Sequence, residues 1–183
     1  MPGLTGVCLV LSALALAARS PVSAQTASPS EYQVKAIFLF NIVQFVDWPP
    51  AAFADAQAPL VVGVLGKDPF GAYLDETFRG ETASNRPVIV QRYRRVEEIE
   101  TCHLLFISVS EARHLEQILA RLKDRSILTV ADGGSGRRGV GIQFVTVQNK
   151  IRMKIDLEAA SAAHLTISSK LLKLAEIVTP GGN

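Results

Sequence analysis

The sequence predicts a three-layer α/β domain: a sheet of about four parallel strands plus a C-terminal antiparallel hairpin, with helices on both faces. Three observations predict it. Four short runs, "PLVVGVLG", "RPVIVQRY", "HLLFISV" and "SILTVAD", are β-branched and nearly continuous in apolar character, as strands covered on both faces require. Helical or turn segments lie between them and supply the crossovers that parallel neighbours need. Beyond them, "VGIQFVTV" and "IRMKIDL" alternate apolar with polar residues around "QNK", which reads as a hairpin turning at Gln148 and Asn149.

The chain of 183 residues has room for one domain, with 48% hydrophobic and 20% charged residues, the balance of a globular protein rather than a disordered one. A formal charge of +2 offers no basic surface for nucleic acid or anionic lipid. The apolar run from Val7 to Ala18 is short of a bilayer span, and Val22 and Ala24 precede a fitting cleavage point. Residues 1–24 are therefore expected to be an export signal, although the stretch before the run lacks Lys or Arg. Residues 25–30 form a polar lead-in, and a single domain is expected over 31–180. Loss of the signal removes Cys8 and leaves Cys102 alone, which excludes an internal disulfide. Cys102 precedes an apolar strand and is either a buried thiol or an intermolecular link.

The first helix is expected from a Ser30 cap to about Val46, stopped by Pro49 and Pro50. Between Lys35 and Asp47 it carries no charge. Val34, Phe38, Asn41 and Phe45 make one stripe, while Leu39, Ile42, Val43 and Val46 make another. A surface helix needs only one apolar stripe, so the second must meet extra core or another chain. Phe38, Leu39, Ile42, Val43, Val46 and Trp48 are accordingly the candidate partner or dimer interface. "PFGAYLDETFRG" reads as the next helix, with Asp68 as cap and Pro69 in its first position. A short turn at "RVEEIE" and a helix at "SEARHLEQILARLKD" follow. "EAASAAH" and an amphipathic helix "SSKLLKLAEIV", capped by Ser168, close the chain.

Chemistry is sparse. "GSGRRG" spells G-x-G-x-x-G, but a strand follows it where a dinucleotide site needs a helix N-terminus. It is a glycine-rich loop, or an anion-contacting loop through Arg137 and Arg138. "GVLGKDPFG" ends the first strand at the usual crevice of an open α/β sheet. Lys67, Asp68, Phe70, Arg92, Ser108, Ser110 and Asp132 should share that edge and are, with the two arginines, the candidate ligand crevice. The alternative is a plain βα turn. There is no H-E-x-x-H, G-x-S-x-G or Walker A motif, and His103, His114 and His164 sit in unrelated contexts. No catalytic residue, metal or cofactor is assigned, and the residues point to a binding or regulatory domain.

The ordered set "EYQVKAIFLFNIVQFVDWP", "PLVVGVLGKDPFG", "CHLLFIS", "ILTVAD", "IQFV…NKIRMKIDLEAA" and "LTISSKLLKLAEIV" resembles the YfiR-like periplasmic proteins, from Glu31 to Val178. The resemblance implies a periplasmic α/β domain, commonly a homodimer, without enzymatic activity. It implies binding to the periplasmic region of an inner-membrane diguanylate cyclase or similar sensor, with effects on cyclic di-GMP and biofilm formation. An outer-membrane lipoprotein is a further implied partner. The best-known member carries cysteine pairs that respond to redox state. This chain, with Cys102 alone after cleavage, departs from that pattern.

Overall fold

In the computed structural model, the structure describes residues 30–133, 138–148 and 150–178. The residues expected to form an export signal, Arg137 and Asn149 lie outside them. Helix α1 (Glu31–Gln44) opens with a capping box: Ser30 Oγ accepts from the Gln33 N–H, and Gln33 Oε1 accepts from the Ser30 N–H at 2.7 Å. It ends two residues before the expected Val46. Val46 and Asp47 instead form a strand, β1, paired antiparallel with β9 (Thr166–Ile167). The prolines thus limit the helix from a distance, while this pairing sets its end.

Among the described residues the main sheet has eight strands. In chain order they are β2 (Leu60–Leu65), β3 (Thr82–Ala83), β4 (Arg86–Tyr93), β5 (Leu104–Ile107), β6 (Leu128–Asp132), β7 (Ile142–Val147), β8 (Lys150–Asp156) and β10 (Ala175–Val178). Across the sheet the order is β10-β8-β7-β6-β5-β2-β4-β3. β4, β2, β5, β6 and β7 are mutually parallel. β7 therefore belongs to two patterns: the fifth parallel strand, and the first arm of the β7–β8 hairpin.

The C-terminal stretch corrects a sequence expectation. "SSKLLKLAEIV" gives only a four-residue helix, α5 (Ser169–Leu172), and then β10, which pairs parallel with β8. Its apolar positions satisfy a helical period, but a free strand edge at β8 supplies hydrogen bonds that an isolated helix end lacks. Asp68 also departs from expectation. It accepts from the Phe70 and Gly71 N–H groups in the turn before α2 (Ala72–Phe78), whose own N-cap is Gly71.

Side chains alternate across the strands into two cores. On one face Leu60, Val62, Val64, Leu104, Phe106 and Val130 pack under α1, α2 and α5. On the other, Leu65, Leu105, Ile107 and Ala131 pack under α3 (Leu115–Leu122) and the turn after β4. α4 (Leu157–Ala162), capped by Asp156, closes the far end. No helix among the described residues is long and apolar enough to cross a membrane.

Cys102 lies in the second core, 6% exposed. Gly63 is there because a Cβ would come within 2.8 Å of the Cys102 sulfur and 2.7 Å of the Tyr93 ring. Burial pushes the Cys102 thiol up to about 12, so the nucleophilic thiolate is suppressed. In a chain begun at Gln25, reaction with a disulfide reagent at mildly alkaline pH is expected to be roughly a thousandfold slower in the native than in the unfolded state. Equal native and unfolded labelling rates would show that the thiol is open to solvent.

Candidate functional site at the carboxyl edge of the sheet

The first strand of the parallel set, β2, lies between the second (β4) and the third (β5), so the chain reverses direction across the sheet at β2. At such a switch point the carboxyl ends of the strands usually open a crevice. Here the protein fills it with its own groups. The Lys67 N–H donates to Ser110 Oγ at 3.0 Å, the Ser108 N–H donates to the Leu65 carbonyl, and Ser110 Oγ donates to Glu111. Gly66, at φ 88°, permits this close approach: a Cβ there would lie 2.4 Å from Ser110 Oγ.

Two charge clusters flank the switch point. On one side Arg92 joins β4 to α2. Its Nε donates to Asp68 Oδ2 at 2.9 Å, and its two terminal nitrogens hold Asp75 through a fork at 2.7 and 2.6 Å. The hydrogen bond from Arg92 holds the Asp75 carboxyl below the usual carboxylate range.

On the other side Asp132 ends β6, and the first turn of α1 closes over it. Lys35 Nζ donates to Asp132 Oδ1 at 2.6 Å, and the Tyr32 hydroxyl donates to Oδ2 at 2.6 Å. Lys35 also pairs with Glu31, one turn earlier, and lies 4.5 Å from the centre of the Tyr32 ring. Only 2% of Lys35 is exposed, so this is a charge inside the domain. Burial, reinforced by the hydrogen bond to Asp132, pushes the Tyr32 phenol well above its ordinary pKa and keeps it a donor. Beneath the cluster, Tyr32 meets Phe70 edge-on at 5.5 Å, and Phe70 meets Phe106 at 4.7 Å.

Among the expected crevice residues, Asp68 and Arg92 are thus brought together, and Asp132 comes over the aromatic column of Phe70. Ser108 is buried, Lys67 and Arg138 are exposed, and Phe70 is a core side chain with 7% exposure rather than an open stacking platform. Glu31, Tyr32, Lys35 and Asp75 complete these clusters and were not among the sequence candidates. The one available signal was a lysine at the edge of an apolar helix stretch.

The candidate interface residues also have definite places. Leu39, Ile42, Val43 and Val46 are 0–1% exposed and fill the first core. Phe38 is half-buried against Phe144, and Trp48 is half-buried with its indole N–H donating to the His103 carbonyl. The solvent side of α1 presents Ile37, 45% exposed, with Asn41 and Gln44 along the same stripe. Elsewhere, a cleft of about 270 Å³ opens between Val96 and Ile118, where Arg95 and Arg121 are matched by Glu98 and Glu97. No group of His, Cys, Asp and Glu among the described residues is placed to hold a metal ion.

A comparison with curated proteins gave no match. The family comparison did: the YfiR/HmsC-like description matches residues 32–176, from the Tyr32 of the buried cluster to Glu176, the second residue of β10. That span contains α1 beyond Glu31, seven strands of the main sheet with the first half of β10, and both charge clusters apart from Glu31, and the chain belongs to the YfiR/HmsC-like family.

Proposed function

We propose that the protein is a periplasmic regulator that binds the periplasmic region of an inner-membrane diguanylate cyclase, or a sensor of that class, and holds it inactive. The match to the YfiR/HmsC-like family over residues 32–176 carries this reading. In mechanism, the protein acts by contact rather than by chemistry. A homodimer presents a partly apolar surface to the receptor, and an outer-membrane lipoprotein competes for the regulator. The solvent stripe of α1 around Ile37, which lies outside the six expected interface residues, is the side open to a partner, since Leu39, Ile42, Val43 and Val46 are committed to the core. A ligand in the strand-end crevice finds less support, because it would have to displace the Asp132–Lys35 and Asp68–Arg92 pairs.

The test is a gene deletion complemented by wild-type or Ile37→Glu protein. Deletion is expected to raise cellular cyclic di-GMP several-fold, and wild-type protein to restore it. Ile37→Glu is expected to fail in restoration while changing stability by no more than about 0.5 kcal/mol, as at other exposed positions. An unchanged cyclic di-GMP level on deletion would overturn the regulatory reading. Full restoration by Ile37→Glu would overturn only the assignment of the α1 stripe.

A further inference from the structure

The main sheet ends on one side at β3, but β3 is only two residues long and covers Arg86 and Pro87 alone. On that side the rest of β4 has no strand beside it among the described residues. Two hydrogen bonds fix which groups face outward there. The Gly66 N–H donates to the Tyr93 carbonyl, so Tyr93 faces β2, and the Val88 N–H donates to the Glu81 carbonyl, so Val88 faces out. By alternation Ile89 and Gln91 bond to β2, while the N–H and C=O groups of Val90 and Arg92 point away from the sheet. Ile89 is 37% exposed, and Gln91 and Arg92 are exposed beside it. Sheets usually protect such an edge with a charge, a proline or a covering segment. Pro87 and β3 do so only at the start of β4, and the Arg92 charge is turned onto Asp68 and Asp75.

An antiparallel second copy of β4 fits this edge in one register. Outward residues must stand opposite outward residues to exchange both hydrogen bonds. Centring the two-fold axis on Val90 would set Arg92 of the second copy beside Val88, whose outward N–H Glu81 already holds. Centring it on Arg92 would set two arginines opposite each other and require the Arg94 N–H, which the Glu98 carboxylate already holds. Centring it on Gln91 avoids both. Val90 then stands opposite Arg92 of the second copy, twice by symmetry, with both hydrogen bonds made in each pair. Ile89 meets Tyr93 of the second copy, an aliphatic–aromatic pair. Beyond it the exposed Arg94 of the second copy comes next to the exposed Glu81, which sets opposite charges together at each end of the pairing. At the axis Gln91 meets itself. Its Oε1 accepts from the Tyr93 hydroxyl, which leaves the amide N–H groups to cross the axis.

We propose that a second copy of this chain docks β4 against β4 about a two-fold axis at Gln91, joining the two main sheets edge to edge. The interface is isologous, so each copy contributes the same residues and no edge is left open at β4. It rests on the homodimer of the proposed function, to which it assigns a surface.

Sedimentation of the full folded protein at rising concentration is expected to show a monomer–dimer equilibrium. Gln91→Glu keeps an oxygen for the Tyr93 hydroxyl but sets two carboxylates opposite each other, and should weaken dimerisation by up to about fivefold. An equimolar mixture of Gln91→Glu and Gln91→Lys should dimerise more tightly than either variant alone, as a residue opposite its own copy requires. Gln91→Cys adds a covalent reading. A non-hydrogen-bonded antiparallel pair sets its Cα atoms about 4.5 Å apart, within the range of a disulfide. Mild oxidation should cross-link Gln91→Cys at least about tenfold faster than Ile89→Cys, which faces Tyr93 of the second copy. A monomer at every concentration overturns the proposal, as does a mixture that dimerises no more tightly than its components, or equal cross-linking at positions 89 and 91. Should the charged variants not fold, sedimentation of the wild type and the two cysteine variants decide. None of these readings uses the receptor, so their failure leaves the regulatory reading standing. An unchanged cyclic di-GMP level on deletion would sink that reading and not this interface.

Discussion

Replacing Lys35 with Met is expected to destabilise the fold by about 3–5 kcal/mol, the usual effect of removing one partner of a buried ion pair. Met matches the length of the lysine stem, so the loss is chiefly electrostatic. Asp132, 8% exposed, would keep, among the described residues, only the Tyr32 hydroxyl as a donor to its side chain. A second change, Asp132→Asn, removes the stranded charge, and the double variant is expected to recover a large part of the loss. Glu31→Gln removes the outer member, whose side chain is 50% exposed, and should cost no more than about 1 kcal/mol. Urea unfolding of the wild type, Lys35→Met, Asp132→Asn alone and the double variant gives the coupling energy of the central pair directly. A loss under about 1 kcal/mol for Lys35→Met would mean that water reaches the cluster and screens it.

Phe106→Ala should have a comparable effect through a different mechanism. Phe106 is fully buried in β5 and supports Phe70, which supports Tyr32. Truncation removes a large apolar surface and leaves a cavity under that column, at a cost of about 3–5 kcal/mol. Since whole domains of this kind are stable by only about 5–15 kcal/mol, the variant should be marginal at 37 °C. Thermal and urea unfolding measure the loss, and amide exchange locates it. Faster exchange should appear in the first turn of α1, because Tyr32 loses its footing together with Phe70. A loss under about 1.5 kcal/mol would indicate that neighbouring side chains collapse into the space.

Much of the fold was legible because its strands are nearly pure apolar runs. Arg86–Tyr93 forms β4 as the run "RPVIVQRY" indicates, and the Ser30 cap is visible in the spacing to Gln33. The failures share a cause. The residues of β10 carry a helix-compatible pattern, and only the edge of β8, some twenty positions earlier in the chain, makes them a strand. The Lys35–Asp132 pair spans 97 positions, and no local rule predicts a lysine turned into the core. The crevice rule pointed to the carboxyl edge of the sheet, where Asp68, Arg92 and Asp132 lie. Whether its polar groups would face a ligand or each other depended on Asp75, Glu31 and Tyr32, which became neighbours only through folding.

The same 97-residue separation orders the way the molecule comes together. α1 precedes the rest of the described domain, yet its buried lysine has no stable place until β6 has delivered Asp132. Burying that charge without its partner is strongly unfavourable, so the first helix of the described residues is expected to be among the last elements to be fixed. Until then its apolar stripe, Leu39, Ile42 and Val43, has no core to cover, and the chain depends on reaching residue 132 before that stripe finds another surface.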